Sequence, residues 1–293
     1  MQARTVSAPA KINVILEVLG RRADGYHDLW SVLVLVDLCD TVTVAPRKRG
    51  ILLTVRPPVV PAGPGNLAFR AAEAFFETWG RPGGAAITLR KRIPVGGGLG
   101  GGSSDAAAVL AALNAMTGRP LTRERLLDLA AGLGSDVPFF FSGGTALITG
   151  RGEQVADLPP PPPRWLVLAL AGEPVSTAWA YGQLPPGGRR LPDPTWTAAA
   201  AAGQTERLLG MAFNRMEEVV FKARPDLAAL KAHLVALGAA PVGLTGTGAA
   251  LFGFAPERGA ARAWSVALKA EKGQAWACRT LRENPIRAAA LPG

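Results

Sequence analysis

A chain of 293 residues, 48% hydrophobic, is long enough for one large or two medium domains with well-buried cores, which excludes a disordered or disulfide-stapled miniature. Two cysteines, Cys39 and Cys278, without a spacing pattern make a disulfide framework or zinc site unexpected, and no signal peptide or membrane-length apolar run is evident, so a cytoplasmic protein with no membrane partner is expected. The net charge of +10 favours acidic partners, nucleic acid or phosphorylated small molecules. Its basic residues form only short clusters, at Arg21-Arg22, Arg47 to Arg49, Arg90 to Arg92 and Arg189-Arg190, with few aromatics beside them, so no nucleic-acid partner is expected.

In chain order, apolar alternation predicts strands at Thr5–Ser7, Ile12–Leu19, Ser31–Leu35, Asp40–Val44 and Gly50–Val55, then a helix at Asn66–Trp79. A strand at Ala85–Ile93 leads into a glycine run, a helix at Ser103–Met116 follows it, and another helix is predicted at Arg123–Ala131. The five prolines Pro159–Pro163 form a stiff, extended stretch that cannot enter a sheet interior, and they mark the expected domain boundary. Beyond it come a strand at Trp165–Leu170, an amphipathic helix pair spanning Met211–Leu237 with a break at Pro225, and strands at Val242–Leu244 and Ala249–Phe254. A helix near Glu257–Lys269 and a strand at Gln274–Leu281 close the list. The run Ala198–Ala202 reads as a surface insertion. The order is α+β, most economically built with helices on one face of an antiparallel sheet.

The most informative stretch is PVGGGLGGGSSD, Pro94 to Asp105. Its six glycines lose much backbone entropy on folding and pack nothing, so a ligand must compensate. Glycines let consecutive N–H groups converge on an anion, and Ser-Ser-Asp ahead of an alanine-rich helix reads as a cap whose dipole points at the loop, with Asp105 in a capping role. A flexible linker is the plain alternative, but apolar elements sit tight against both ends. The Walker form requires a lysine before the final Ser/Thr, which is absent, and the G-x-G-x-x-G match at Gly96, Gly98 and Gly101 has no well-placed acidic residue for a ribose. Asp136, in LGSDVPFFF, has on its own residues a helix cap as the stronger reading and a catalytic base as the other.

SAPAKINVIL, RADGYHDL, the glycine loop, GSDVPFFF, VSTAWAY and LTGTGAALF together resemble the motifs of the GHMP small-molecule kinases over nearly the whole chain. PAKIN, ADGYH and VSTAWAY resemble the version that acts on a cytidine diphosphate derivative of methylerythritol in the non-mevalonate isoprenoid route. The resemblance implies a two-domain α+β fold: an N-terminal ATP-binding domain over 1–158, a ferredoxin-like C-terminal domain over 164–293, and an active site in the cleft between them. It implies ATP and Mg²⁺ as cofactors and a 2-hydroxyl as acceptor, with Asp136 as general base beside Lys11. ATP contacts are implied at Asn66, Lys91, Pro94, Val95, Gly96, Gly97, Gly98, Leu99, Gly100, Gly101, Gly102, Ser103 and Ser104. Asn13, Tyr26, His27, Thr177 and Tyr181 are implied to contact the cytidine substrate; Asn66 equally fits a helix cap, His27 a turn and Tyr181 core packing. No magnesium-binding acidic residue can be mapped, so the metal ligands stay unassigned. A monomer or weak homodimer is expected. A sibling kinase acting on another small alcohol, and a basic module binding a nucleic-acid backbone without chemistry, are the alternatives.

Overall fold

The computed structural model describes residues 2–185, 190–270 and 273–290; Arg189 of the last basic cluster lies outside them. The chain opens with two long strands, β1 (Arg4–Arg21) and β2 (His27–Arg47), paired antiparallel. Each spans two of the predicted strands. Continuity survives because β-bulges, where the register shifts between Pro9 and Ala10 and between Asn13 and Ile15, absorb the changes in alternation that mimic strand ends. Strand β3 (Gly50–Arg56) follows, then α1 (Leu67–Trp79), β4 (Gly84–Arg90), α2 (Gly101–Met116), α3 (Arg123–Leu133), a 3₁₀ turn at Pro138–Phe141, and the hairpin of β5 (Thr145–Gly150) and β6 (Gln154–Asp157). These strands form a seven-stranded sheet ordered β3-β4-β2-β1-β8, with β5 on β2 and β6 on β5; its edge strand β8 (Phe213–Asn214) arrives later in the chain and runs parallel to β1.

After the proline run come β7 (Trp165–Leu170), α4 (Thr177–Gly182), α5 (Pro194–Ala201), α6 (Thr205–Leu209), α7 (Glu217–Ala223) and α8 (Pro225–Ala236). Strand β9 (Val242–Leu244), β10 (Ala250–Ala255), α9 (Arg258–Ala270), β11 (Gln274–Arg279) and α10 (Pro285–Ala290) complete it. The second sheet is antiparallel in the order β11-β7-β10-β9, a ferredoxin-like arrangement of strands. The fold class holds: the protein is α+β, with α8 and α9 packed on its second sheet.

Period-2 alternation makes four layers. On β7, Leu166 and Leu168 face the first sheet and join Ile12, Val34, Phe252 and Phe254 in a shared core. Val167 and Ala169 face the other way, with Leu227, Leu234, Trp264 and Leu268. A third core lies outside the first sheet, where Leu33, Leu35, Phe75, Leu110 and Phe139 meet. Helix α2 is buried on nearly every side from Ser104 to Asn114, and its alanines let α1 and α10 approach closely.

Three local expectations need correcting. Ser103-Ser104-Asp105 is not the cap of α2: the helix begins at Gly101, Gly100 at φ 70° is the N-cap, and no side chain caps it, because only glycine enters from a left-handed turn without strain. The Ala198–Ala202 run belongs to helix α5, capped by Asp193 and burying Ala199, since alanine has the highest helix propensity once a cap and Pro194 start the turn. The helix pair begins at Glu217, because Phe213 and Asn214 are taken by pairing with β1.

Candidate active site

The glycine loop is a preformed nest. Gly96, Gly98 and Gly100 have φ of 75°, 73° and 70°, and a side chain at Gly98 would meet the Thr245 carbonyl at 2.3 Å. Loop carbonyls face the protein: Leu99 O accepts from Lys11 N at 3.0 Å, Gly97 O from Ala250 N at 3.2 Å, and Gly98 O from Thr245 Oγ1 at 3.2 Å. With no side-chain cap, the N–H groups of Gly101, Gly102 and Ser103 in the first turn of α2 are left for a ligand. Leu99 anchors the loop in the shared core, while Val95 is 49% exposed beside it.

Lys11 and Asn13 sit on one face of β1, between the first two of its three register shifts. Lys11 is buried against the loop, its Cγ 3.0 Å from where a Gly100 side chain would begin. Its Nζ donates to Asn13 Oδ1 at 2.5 Å and lies 3.7 Å from Asp136 Oδ2. Burial pulls the Lys11 ammonium below its ordinary range, with Asp136 opposing. Asn13 is tied into this arrangement: Nδ2 donates one hydrogen to Ser31 Oγ at 3.0 Å and the backbone N–H donates to Thr245 Oγ1 at 3.0 Å. Asn13 is not among the residues that line the aromatic cavity. It orients Lys11. Asp136 is not a helix cap, since the 3₁₀ turn begins after Val137 with no side-chain cap, and its side chain is 42% exposed.

Beyond Asp136 opens a cavity of about 970 Å³, lined among others by Tyr26, His27, Asp136, Thr177 and Tyr181. The His27 and Tyr181 rings stand 4.9 Å apart at 36°. Burial and the neighbouring Arg21 hold the His27 imidazole towards its neutral form, and burial pushes the Tyr181 phenol up. Tyr26 is 52% exposed and carries the Arg151 guanidinium 5.2 Å above its ring. The Thr177 hydroxyl meets that of Thr247 at 3.3 Å.

Other predicted ATP residues are placed differently. Lys91 Nζ is held between Asp40 Oδ2 at 2.5 Å and Asp105 Oδ2 at 2.6 Å, with its side chain 5% exposed, so its charge is committed inside the protein rather than to phosphate. Asp105 is correspondingly a buried ion-pair partner, not a cap. Ser104 is fully buried and its hydroxyl meets no partner among the described residues, which leaves Ser103 as the accessible hydroxyl of the pair. Asn66 caps α1, with Oδ1 accepting from Ala68 N and Nδ2 donating to the Pro61 carbonyl, so one amide hydrogen remains for a ligand.

The family profiles described as "GHMP kinases N terminal domain" and "GHMP kinases C terminal" match residues 66–144 and 197–274. A protein of Gloeobacter violaceus named 4-diphosphocytidyl-2-C-methyl-D-erythritol kinase is 42% identical, over 96% of this chain and 95% of its own. The chain belongs to the GHMP kinase family. A crystal structure of a 4-(cytidine 5'-diphospho)-2C-methyl-D-erythritol kinase matches this GHMP kinase with TM-score 0.79 and 38% identity, over 94% of this chain and 99% of that one. A homoserine kinase from Cytophaga hutchinsonii shares the fold at TM-score 0.73 but only 20% identity, over 97% and 96% of the two chains. Fold alone therefore does not choose the acceptor. As a GHMP kinase the protein is a phosphotransferase with ATP as donor and a small-molecule acceptor, and no helix among the described residues is long and apolar enough to cross a membrane. Residue reasoning missed Ser31, Thr245, Thr247 and Arg151. LTGTG pointed to the two threonines without a role, whereas nothing in the sequence marks Ser31 or Arg151.

Proposed function

We propose that this GHMP kinase transfers the γ-phosphoryl group of ATP to the 2-hydroxyl of 4-diphosphocytidyl-2-C-methyl-D-erythritol, serving the non-mevalonate isoprenoid route. The observation that carries the reading is the position of Lys11, wedged between the glycine nest and Asp136, with Asp136 facing a cavity that also presents Tyr26, His27 and Tyr181. Asp136 takes the proton of the acceptor hydroxyl as the new P–O bond forms. Lys11 keeps the carboxylate oriented and offsets charge at the hydroxyl oxygen, and Asn13 fixes the ammonium. The nest holds the phosphates through backbone N–H groups, and Val95 with Pro94 offers apolar surface to the adenine. Tyr26 and Tyr181 stack on cytosine, neutral His27 reads its edge, and Thr177 contacts the methylerythritol end.

Magnesium supplies charge neutralisation at the phosphates when bound. No cluster of three His, Cys, Asp or Glu side chains forms a metal cage among the described residues. That suits a cation held mainly by phosphate oxygens and water, with the Ser103 hydroxyl as the side-chain oxygen on offer. The reading includes a domain division at the proline run that β8 and α10 cross back over to complete the first layer, a cytoplasmic enzyme without a nucleic-acid partner, and a monomer or weak homodimer whose catalytic groups come from one chain.

The test is turnover of purified protein with Mg·ATP on a panel of alcohols. kcat/KM for the cytidine compound should exceed that for mevalonate or homoserine at least about a hundredfold. Faster turnover of either competitor would return the assignment to a GHMP kinase of another acceptor.

A further inference from the structure

The cavity carries an imbalance of charge. Arg21, Arg151, Arg190 and Arg215 line it, against a single carboxylate, Asp136. Arg215 is neutralised elsewhere: Glu17 holds it through two bonds of 2.7 and 2.8 Å, and Glu218 bonds it as well. Asp136 is matched by Lys11, and nearby Asp24 and Asp28 are taken by Arg22. Among the described residues Arg21 and Arg190 make no ion pair, and Arg151 has only Glu153, at 3.9 Å. Arg21 and Arg190 therefore face the concavity without a paired carboxylate among the described residues, and Arg151 joins them with only that long contact to Glu153. A cleft lined by an excess of one sign focuses field on a ligand of the other sign.

Each of the three is held by its backbone. Arg21 ends β1, opposite His27 in the pairing of β1 with β2. Arg190 is tied to the same stretch of β1 by a 2.6 Å bond from its N–H to the Leu19 carbonyl. Arg151 rides the tip of the β5–β6 hairpin, where Gly150 and Gly152 take φ of 68° and 119° and its own N–H donates to Glu153 Oε2 at 2.8 Å. The tip lies close to Ser135, 3.1 Å from where a Gly152 side chain would begin, which puts Arg151 on the same side of the cavity as Asp136.

We propose that Arg21, Arg151 and Arg190 form a cationic rim that binds the phosphoanhydride of the acceptor, making two adjacent phosphates, rather than the base or the alcohol alone, the main determinant of acceptor selection. Planar guanidinium forks suit phosphate oxygens, and a diphosphate between a cytosine subsite at Tyr26 and a hydroxyl at Asp136 must cross this rim. The proposal rests on the acceptor assignment above.

The experiment measures acceptor KM for Arg21→Gln, Arg151→Gln, Arg190→Gln and the triple variant. It also measures binding of cytidine, CMP, CDP and inorganic pyrophosphate with a non-hydrolysable ATP analogue saturating the glycine loop. Each single change should raise acceptor KM about fivefold and the triple change at least about fiftyfold, with KM for ATP within about twofold. The preference of the wild type for CDP over cytidine should collapse in the triple variant, and Arg151→Lys, which keeps the charge but not the flat stack on Tyr26, should fall between wild type and Arg151→Gln. An acceptor KM unmoved in the triple variant, with the wild type turning over the cytidine compound, overturns the rim and leaves the assignment intact. A wild type that ignores the cytidine compound but binds pyrophosphate at least about tenfold more tightly than the triple variant sinks the assignment and supports the rim. Equal pyrophosphate affinity in the two proteins overturns the rim in either case.

Discussion

In the proposed mechanism Lys11 and Asp136 divide one task between a buried cation and a partly exposed carboxylate. Asp136→Asn should lower kcat by at least about a hundredfold with ATP affinity within about threefold, because a base acts on the transition state and not on the bound nucleotide; single-turnover kinetics beside equilibrium ATP binding separates the two. A variant retaining a tenth of wild-type kcat would remove Asp136 from proton transfer. Because burial lowers the Lys11 pKa from 10.5, its charge is lost at a lower pH than that of a free lysine. Activity should therefore decline on an alkaline limb centred below pH 10.5, and Lys11→Arg, which stays charged, should shift that limb upward in a kcat/KM profile. Tyr26→Ala and Tyr181→Ala should each raise acceptor KM about ten- to a hundredfold by removing stacking on the base, with ATP KM unchanged; a joint rise of both constants would mean that the rings only support the core.

At the scale of elements, the approach to the glycine loop is held by a buried triad joining β2, the end of β4 and α2. Asp40 Oδ1 accepts from the backbone N–H groups of Arg92 and Ile93 while its other oxygen and Asp105 share Lys91. Two carboxylates around one ammonium leave an excess negative charge, and Asp105 Oδ1 has no partner among the described residues. Burial first, and Asp40 with it, pushes the Asp105 carboxyl up from 3.8 to about 7 against the pull of Lys91. The folded protein then holds more protons than the unfolded chain between those values, so stability from this group is present below pH 3.8 and is lost as pH rises towards 7. Asp105→Asn should flatten that fall in urea denaturation across the range. Lys91→Met, which strands two buried carboxylates, should destabilise by about 3–5 kcal/mol. These contacts also show where the sequence could be read and where it could not. A strand, a glycine loop and a helix were legible because glycine and alanine signal locally. The triad was not, since Asp40, Lys91 and Asp105 meet only because β2 pairs with β4 and α2 packs on β2, and a Ser-Ser-Asp string looks like a cap whether or not Gly100 has already supplied the turn. Likewise Asn13 and Thr245 are 232 residues apart, a contact that no local pattern announces.

Across the whole molecule, the two sheets do not form separate cores. Ile12 and Val34 from the first pack with Leu168, Phe252 and Phe254 from the second, so a change on either side is felt by both. Calorimetry should give a single unfolding transition, and Phe252→Ala, expected to remove about 3–5 kcal/mol, should move it as one unit; two resolved transitions would show that the halves unfold independently. The first layer also depends on residues from the far end of the chain. Ile286 and Ala290 of α10 fill its outer core beside α2, and Asn284 Nδ2 donates to the carbonyls of Phe140 and Ser142 at 2.8 Å each, bracing the turn that follows Asp136. During synthesis this segment leaves the ribosome long after the glycine loop does. The nascent chain therefore displays its glycine nest well before Asn284 emerges to brace the turn that follows Asp136.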